Sequence, residues 1–154
     1  MAVDIVHLTQ AKHNEDVAKK LVRELTYHDW GITAAFYAAV HYFEFWLFTK
    51  PEKHSETSIP LKPDPLNPHS LIFKYSVHGW REKIIETELS GEAFVCFREL
   101  RSASETARYL TLSRVEPGRE PNWLNTSASD FFTPSEAGKL LINLETLKKE
   151  LKIS

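Results

Sequence analysis

Apolar residues recur at steps of three and four along most of the chain, which is the spacing of an amphipathic helix. The first stretch of this kind covers about residues 11–27, where Asn14-Glu15-Asp16 offers a cap and an acidic first turn. The second covers about residues 30–48 and is apolar nearly all round, with Asp29 placed as its N-cap. A helix of that composition is expected at the centre of a bundle.

Two further helices are predicted in the middle of the chain. One covers about residues 68–89, because Asn67 can cap it and Pro68 suits its first turn. The other covers about residues 91–113. The connection through Ser90-Gly91 is too short for anything but a tight turn, so these two helices are expected to be antiparallel neighbours.

The last helix has the clearest start signal. Thr133-Pro134-Ser135-Glu136 is a capping box with proline at the first helical position, and the helix it opens is predicted over residues 134–152. Two long loops remain, 50–68 and 114–132. Loop 50–68 contains five of the eight prolines and is expected to be the most mobile internal segment.

These elements predict an all-α fold, a four- to five-helix up-and-down bundle in which residues 1–154 form a single domain. The composition, 42% hydrophobic and 26% charged, is that of an ordinary globular protein. The formal net charge of −2 argues against coating nucleic acid by bulk electrostatics but allows a local basic face. The single cysteine, Cys96, excludes an intrachain disulfide, and its apolar neighbours predict a buried thiol.

The stretch from Trp30 to Phe48 approaches the length of a membrane span and contains one charge, Glu44. Thr33 and His41 interrupt it as well, and the N-terminus lacks the pattern of a signal peptide. A central bundle helix, no membrane association and a cytoplasmic location are therefore expected.

A polar stripe crosses this otherwise apolar second helix. Thr33, Tyr37, His41 and Glu44 follow one another at steps of four, four and three, so they share a face. Two interpretations stay open. The stripe is either an internal hydrogen-bond network or solvent-facing edge that fixes helix register, or the lining of a functional groove.

The fourth predicted helix carries three arginines, Arg98, Arg101 and Arg108, on one face with Glu105. Guanidinium groups bind phosphate with bidentate geometry, which indicates an anion-binding face. The alternative is a solvated face on which Glu105 pairs with its neighbours.

Other chemistry is limited. His78 and Arg81 lie three apart on the third predicted helix. His41 and Glu44 have helical i,i+3 spacing, but di-metal bundles use the order Glu-x-x-His twice, so neither a metal nor a cofactor is expected. The chain has no glycine-rich phosphate loop, no GKS or GKT motif and no GxSxG elbow.

Two motifs in order, WGITAAFYAAVHYFEFWL and SETARYL, resemble the HEPN superfamily of small helical bundles over about residues 10–112. The chain looks like an uncharacterised bacterial branch with AAFYAAxH and SxxARY helices. The resemblance implies a bundle that pairs into a homodimer. It also implies either a metal-independent ribonuclease of a toxin–antitoxin or defence system, or a protein that binds RNA or nucleotides without cleaving them.

The active branch of that superfamily carries Arg, four to six residues, then His near the third and fourth helices. No histidine follows Arg81, Arg98, Arg101 or Arg108 at that spacing, and the match Arg23-x4-His28 ends the first helix instead. A noncatalytic role therefore comes first.

Three functions are carried forward. The first is a noncatalytic HEPN-like homodimer that binds RNA, a nucleotide or a partner protein, with Arg98, Arg101, Arg108, Arg81 and Glu44 as ligand-binding candidates. The second is a ribonuclease in which an arginine stabilises the transition state and His41 or His78 is the general base. The third is a structural or scaffold protein whose polar stripe is internal.

Overall fold

The computed structural model describes residues 2–24, 27–112 and 123–154 and is 69% helical. The helical fold class is confirmed, with one small two-stranded sheet in addition. In chain order the elements are α1 Ala2–Arg23, α2 His28–Leu47, α3 Ser55–Ser58, β1 Leu61–Pro63, β2 Leu71–Phe73, α4 Val77–Glu88, α5 Gly91–Tyr109, α6 Ala128–Phe131 and α7 Pro134–Glu150.

Helix α2 is the central element, as its composition predicts. It packs against α1, α5 and α7, and 13 of its 20 residues are buried within a single chain. The aromatic core is built where α2 meets α5, with the Phe36 ring 5.9 Å and the Phe43 ring 6.3 Å from that of Phe97. No helix in the described part of the chain is long and apolar enough to cross a membrane.

The N-terminal helix begins nine residues earlier than predicted. Residues 14–16, expected as its cap, lie inside it, and its last helical residue is Arg23 rather than residue 27. The sequence pattern gave the wrong start because a position that faces the core is occupied by a charged residue. Glu15 is buried and accepts hydrogen bonds from Lys19, Tyr42 and Lys148. Burial alone would raise the pKa of Glu15, but these hydrogen bonds bring it down to about 2.

Helices α1 and α2 approach closely at Gly31. A Cβ atom there would lie 2.7 Å from Val22 Cγ2 and 3.2 Å from the Val22 backbone nitrogen, so glycine is required by space. Asp29 does not cap α2, because the N-cap position is Tyr27 and no side chain caps it. The Asp29 charge lies in the first turn, where it suits the positive end of the helix dipole.

The prediction of a helix over residues 68–89 is wrong in its first half. Residues 61–63 and 71–73 form an antiparallel hairpin, in which Leu61 pairs with Phe73. The β-branched and aromatic character of Leu71-Ile72-Phe73 favours a strand. Helix α4 starts later because Ser76 caps it, accepting a 3.1 Å hydrogen bond from the Gly79 nitrogen.

The remaining helices follow their predictions more closely. The capping box of α7 is confirmed, with Thr133 and Glu136 exchanging hydrogen bonds, although the helix ends at Glu150 rather than residue 152. Helix α5 begins after Ser90 as expected and ends at Tyr109, where Leu110 adopts a left-handed conformation at φ 55°. The predicted end at residue 113 lies outside the described residues.

Short helices occupy both predicted loops, α3 in loop 50–68 and α6 in loop 114–132. The Trp80 indole of α4 donates a 2.9 Å hydrogen bond to the Ser58 hydroxyl of α3. Cys96 is buried as predicted, and burial raises the pKa of its thiol.

Candidate functional site

The polar stripe of α2 contacts a different element at each of its last three positions. The Tyr37 hydroxyl accepts a 3.0 Å hydrogen bond from Arg108 of α5, and the His41 Nδ1 atom lies 2.8 Å from Nδ1 of His7 in α1. Glu44 contacts α3 and α4, whereas Thr33 donates to the Asp29 carbonyl of its own helix. These contacts are those of an internal network, the first of the two interpretations left open by the sequence.

Glu44 is the most buried member, with 1% of its surface exposed. One carboxylate oxygen accepts a 2.8 Å hydrogen bond from the Arg81 Nε, and the other accepts from the Ser55 backbone nitrogen at 3.0 Å. His54 Nε2 lies 3.9 Å from the same carboxylate. Burial opposes the charge, but Ser55 and Arg81 outweigh it, so the pKa of Glu44 lies below its usual value.

The imidazole rings of His7, His41 and His54 lie close together near this ion pair. The His7 ring centroid lies 5.1 Å from that of His41 and 5.4 Å from that of His54. In the His7–His41 hydrogen bond one ring donates and the other accepts, and burial lowers the pKa of both. Among the described residues no group of three or more His, Cys, Asp or Glu side chains could hold a metal ion.

His78, the other histidine proposed as a base, is half-buried on α4. Its Nδ1 lies 3.0 Å from the Arg81 Nη1, and its ring packs 5.2 Å from that of Phe36. Burial lowers the pKa of His78 to about 4, assisted by the charges of Arg81, Arg101 and Arg108. His78 is therefore neutral at neutral pH.

The three arginines of α5 have three different environments. Arg98 is exposed and lies 5.9 Å over the Phe94 ring. Arg101 is buried, donates from Nε to Glu105 at 2.9 Å, and places Nη1 3.0 Å from Glu82 Oε1. That Nη1 is close enough for an ion pair but is not aligned for a hydrogen bond. Arg101 therefore joins α5 to α4, and the pairing of Arg101 with Glu105 is confirmed.

Arg108 differs from Arg101 because no acidic side chain in the described ranges forms an ion pair with it, and from Arg98 because its guanidinium is held by hydrogen bonds. Its Nη1 donates to Tyr37 at 3.0 Å and lies 3.4 Å from the Tyr109 hydroxyl, while Nε donates to the Ser104 carbonyl at 3.3 Å. The guanidinium also lies 4.9 Å over the Tyr109 ring. Within the described residues, Arg108 is a positioned cation with no carboxylate at ion-pair distance.

A cavity of about 130 Å³ opens beside Arg108, between the start of α2 and the end of α5. It is lined by Asp29, Trp30, Thr33, Ala107 and Arg108. Trp30 is 62% exposed, and Tyr109 next to Arg108 is 58% exposed. A cation, a carboxylate and an exposed indole around one small space suit a flat polar ligand.

The structure thus divides the residues proposed from the sequence. Glu44, Arg81 and His78 form polar contacts between α2 and α4. His41 pairs with His7 of α1, Arg101 joins α5 to α4, and Arg98 lies on the surface. Arg108 lines the cavity, together with Thr33 of the polar stripe.

Sequence reasoning missed four residues around these sites. His7 and His54 complete the imidazole group, and Asp29 and Trp30 line the cavity. A signal for His7 exists, because His7 has the helical spacing of the buried Ala11 and Ala18 once α1 begins at Ala2. No pattern in the sequence brings Trp30 and Arg108 to one cavity, since they lie on two different helices.

Comparison with known proteins adds no assignment: no protein-family model, curated protein or solved structure matches this chain.

Proposed function

We propose that this protein is a noncatalytic, HEPN-like helical module that binds a nucleotide unit, presented either free or within single-stranded RNA. The observation that carries the proposal is the cavity between α2 and α5, which is lined by both Arg108 and the exposed Trp30. We also propose that the five longer helices, α1, α2, α4, α5 and α7, form an up-and-down bundle, as the resemblance of the two sequence motifs to the HEPN superfamily implies.

The chemistry of the cavity supports a nucleotide more than an apolar ligand. Single-stranded nucleic acid is bound by cations that contact the backbone and by aromatic side chains on which bases stack. Arg108 supplies the cation, and it has no acidic partner among the described residues. The exposed rings of Trp30 and Tyr109 supply the aromatic surfaces. The net charge of −2 fits a site that holds one or two nucleotides better than a long basic groove.

We include a homodimer in the proposal and place its interface on the hairpin rather than on α2. Helix α2 is covered within one chain, so its apolar character does not require a partner. The hairpin instead exposes Leu61, Leu71 and Phe73, each by more than half of its surface. Exposed apolar groups of this kind mark interfaces.

The test of nucleotide binding is fluorescence anisotropy of a labelled, short single-stranded RNA at one fixed salt concentration, with mononucleotides as competitors. Trp30→Ala and Arg108→Ala should each weaken binding about tenfold or more, because stacking and charge-assisted hydrogen bonds each contribute roughly 1–3 kcal/mol. Arg98→Ala is the matched control, since it removes an exposed arginine from the same helix outside the cavity.

Two results would count against this proposal. Absence of binding to any RNA or nucleotide would reject it outright. Full binding by both cavity variants together with loss in Arg98→Ala would move the ligand to the outer face of α5. Unfolding of Arg108→Ala would leave Trp30→Ala as the deciding variant, because Trp30 is largely exposed.

One observation favours a ribonuclease as the second candidate. His78 Nδ1 lies 3.0 Å from the Arg81 Nη1, so an unprotonated imidazole stands beside one cation of the kind that stabilises a phosphorane. Incubation of the purified protein with total RNA, with and without a chelator, tests this candidate. Cleavage that persists with chelator and disappears in His78→Ala supports it, and intact RNA rejects it.

A further inference from the structure

The two outer edges of the hairpin differ in the backbone groups that they present. The Asp64 nitrogen donates to the Ser70 carbonyl at 3.0 Å, and the Lys74 nitrogen donates to the Pro60 carbonyl at 2.8 Å. Because the hydrogen bonds of an antiparallel pair recur at every second residue, the odd-numbered residues between them point their N–H and C=O groups away from the other strand. These outward-facing residues are Leu61 and Pro63 on β1, and Leu71 and Phe73 on β2.

The β2 edge is open to a further strand, whereas the β1 edge is protected by proline. Pro63 has no N–H at its outward-facing position, and Pro60 and Pro65 flank the same strand. Strand β2 contains no proline, and its outward-facing residues Leu71 and Phe73 are 63% and 61% exposed. No third strand pairs with β2 in the part of the chain that the structure describes. An edge of this kind is a template for a strand from another chain.

We propose that a second copy of this chain adds its own β2 to this edge, antiparallel to the first, so that the two hairpins form one four-stranded sheet. The inference rests on the homodimer included in the proposed function, and it names the contact that joins the two chains. Two strands alone are only marginally stable in water, and this pairing gives each hairpin the additional strands that a stable sheet requires.

A second copy fits because β2 is complementary to itself about a twofold axis through Ile72. In that register Leu71 of one copy lies opposite Phe73 of the other, and the two residues exchange N–H···O=C hydrogen bonds in both directions. The axis repeats this pair on the other side of Ile72, as an isologous interface requires. The exposed Leu71 and Phe73 side chains then contact each other as an aliphatic–aromatic cross-strand pair.

The charges near the ends of β2 agree with this register. Lys74 of one copy lies opposite Ser70 of the other, on the face that also carries Asp64. Asp64 Oδ2 accepts a long hydrogen bond of 3.4 Å from the Ser70 hydroxyl, so it retains a lone pair for an ammonium group. Lys74 is exposed, and its ammonium lies 5.5 Å from the Tyr75 ring. A surface ion pair contributes little affinity, but it favours this register over one that brings like charges together.

Matched proline substitutions test which edge forms the pair. Leu71→Pro removes an outward-facing N–H of β2 in both copies, and with it half of the hydrogen bonds between them, so it should weaken dimerisation about tenfold or more. Leu61→Pro makes the same chemical change at an outward-facing position of β1 and should leave the dissociation constant within about twofold. Two short strands bury less than the about 800 Å² per partner of a stable complex, so the unaltered dimer should dissociate on dilution. Analytical ultracentrifugation over a dilution series therefore measures the dissociation constant of each variant.

A disulfide cross-link tests the register. The twofold axis places Ile72 opposite its own copy in a pair without ladder hydrogen bonds, where the two Cα atoms lie about 4.5 Å apart. A disulfide spans that distance, so Ile72→Cys should give a covalent dimer on mild oxidation, seen on a non-reducing gel. Lys62→Cys is the matched control, because Lys62 pairs with Ile72 inside the hairpin but lies about three strand spacings from its own copy. Cys96 is buried and is the shared background of both variants.

The outcomes separate this inference from the proposed homodimer. A dimer that Leu71→Pro preserves, with no cross-link through Ile72→Cys, overturns the β2 pairing and keeps the homodimer. Loss of the dimer in both proline variants also overturns the pairing, because the apolar face of the hairpin would then hold the chains together. If Leu71→Pro does not fold, the presence or absence of the cross-link decides. A monomer at every concentration overturns both proposals and leaves the β2 edge to an extended segment of another protein.

Discussion

Glu44 shows how one residue attaches a whole segment to the core. This carboxylate makes polar contacts between α2 and the segment from Ser55 to Glu88, because it accepts hydrogen bonds from the Ser55 nitrogen and the Arg81 guanidinium. Both side chains of the ion pair are buried, with 1% of Glu44 and 7% of Arg81 exposed. Its loss therefore leaves a buried guanidinium without a counter-charge.

We expect Glu44→Gln to lower the free energy of unfolding by about 3–5 kcal/mol, the usual effect of removing one partner from a buried ion pair. Urea denaturation measures it. Glu86→Gln is the control, because Glu86 pairs with Lys83 on the surface, and its unfolding midpoint should stay unchanged. Equal midpoints for the two variants would show that the Glu44–Arg81 pair does not hold α4.

At the scale of elements, the N-terminal half of α1 is attached by few groups. Ile5 and Val6 face solvent, Ala11 is buried, and His7 makes the hydrogen bond to His41 of α2. The groups that face this histidine pair are Glu44 on α2, His54 and Glu56 at α3, and Arg81 on α4. A second proton on the pair would place two cations within hydrogen-bonding distance.

We expect the first turns of α1 to loosen as the pH falls below 6.5. Burial lowers the pKa of both His7 and His41, so the unfolded state binds more protons below that pH, and stability present at higher pH is lost on acidification. Hydrogen-exchange protection of residues 4–10, compared at about pH 7.5 and 5.5, measures the effect.

The matched variants are His7→Gln and His13→Gln, because His13 lies exposed on the same helix. His7→Gln should remove most of the pH dependence of protection in α1, whereas His13→Gln should keep it. If both variants keep it, another group controls the acid response, and His78 with its pKa near 4 is the next to examine.

Sequence patterns predicted elements well where local chemistry decides them. The capping box of α7 and the Ser90 start of α5 were found because the residues that stop or start a helix are neighbours in the chain. The hairpin was missed because the apolar residues from Leu71 onward also fit a helical stripe. The residues of the candidate site were also predictable only where local sequence decides their environment. The sequence indicates Arg108, but the burial of Arg101 depends on Glu82 from another helix.

For the whole molecule, the exposed apolar residues of the hairpin indicate how two chains could assemble. The chain covers α2 unaided, and its largest apolar exposure on the hairpin is at Leu66, Leu71 and Phe73, which are 95%, 63% and 61% exposed. A two-stranded hairpin is only marginally stable alone in water, so a partner surface would stabilise it.

Light scattering after size-exclusion chromatography should therefore give twice the chain mass of 17.8 kDa at micromolar concentration. Phe73→Ser should shift the protein to the monomer, because it removes an exposed aromatic group from the proposed interface. Lys74→Ser is the neighbouring control and should keep the dimer. A monomer mass for the unaltered protein rejects the dimer, whatever the variants show.

Gly31 lies both at the close contact between α1 and α2 and next to the cavity wall, so a substitution there affects two parts of the molecule. The residue lets α1 and α2 approach until a Cβ atom would lie 2.7 Å from Val22, and it directly follows Asp29 and Trp30 in the cavity wall. A larger residue at this position has to move the first turn of α2 and, with it, both cavity residues. Mutational drift at the α1–α2 contact is therefore also drift in the shape of the cavity wall, so descendants of this chain can alter the cavity without a substitution inside it.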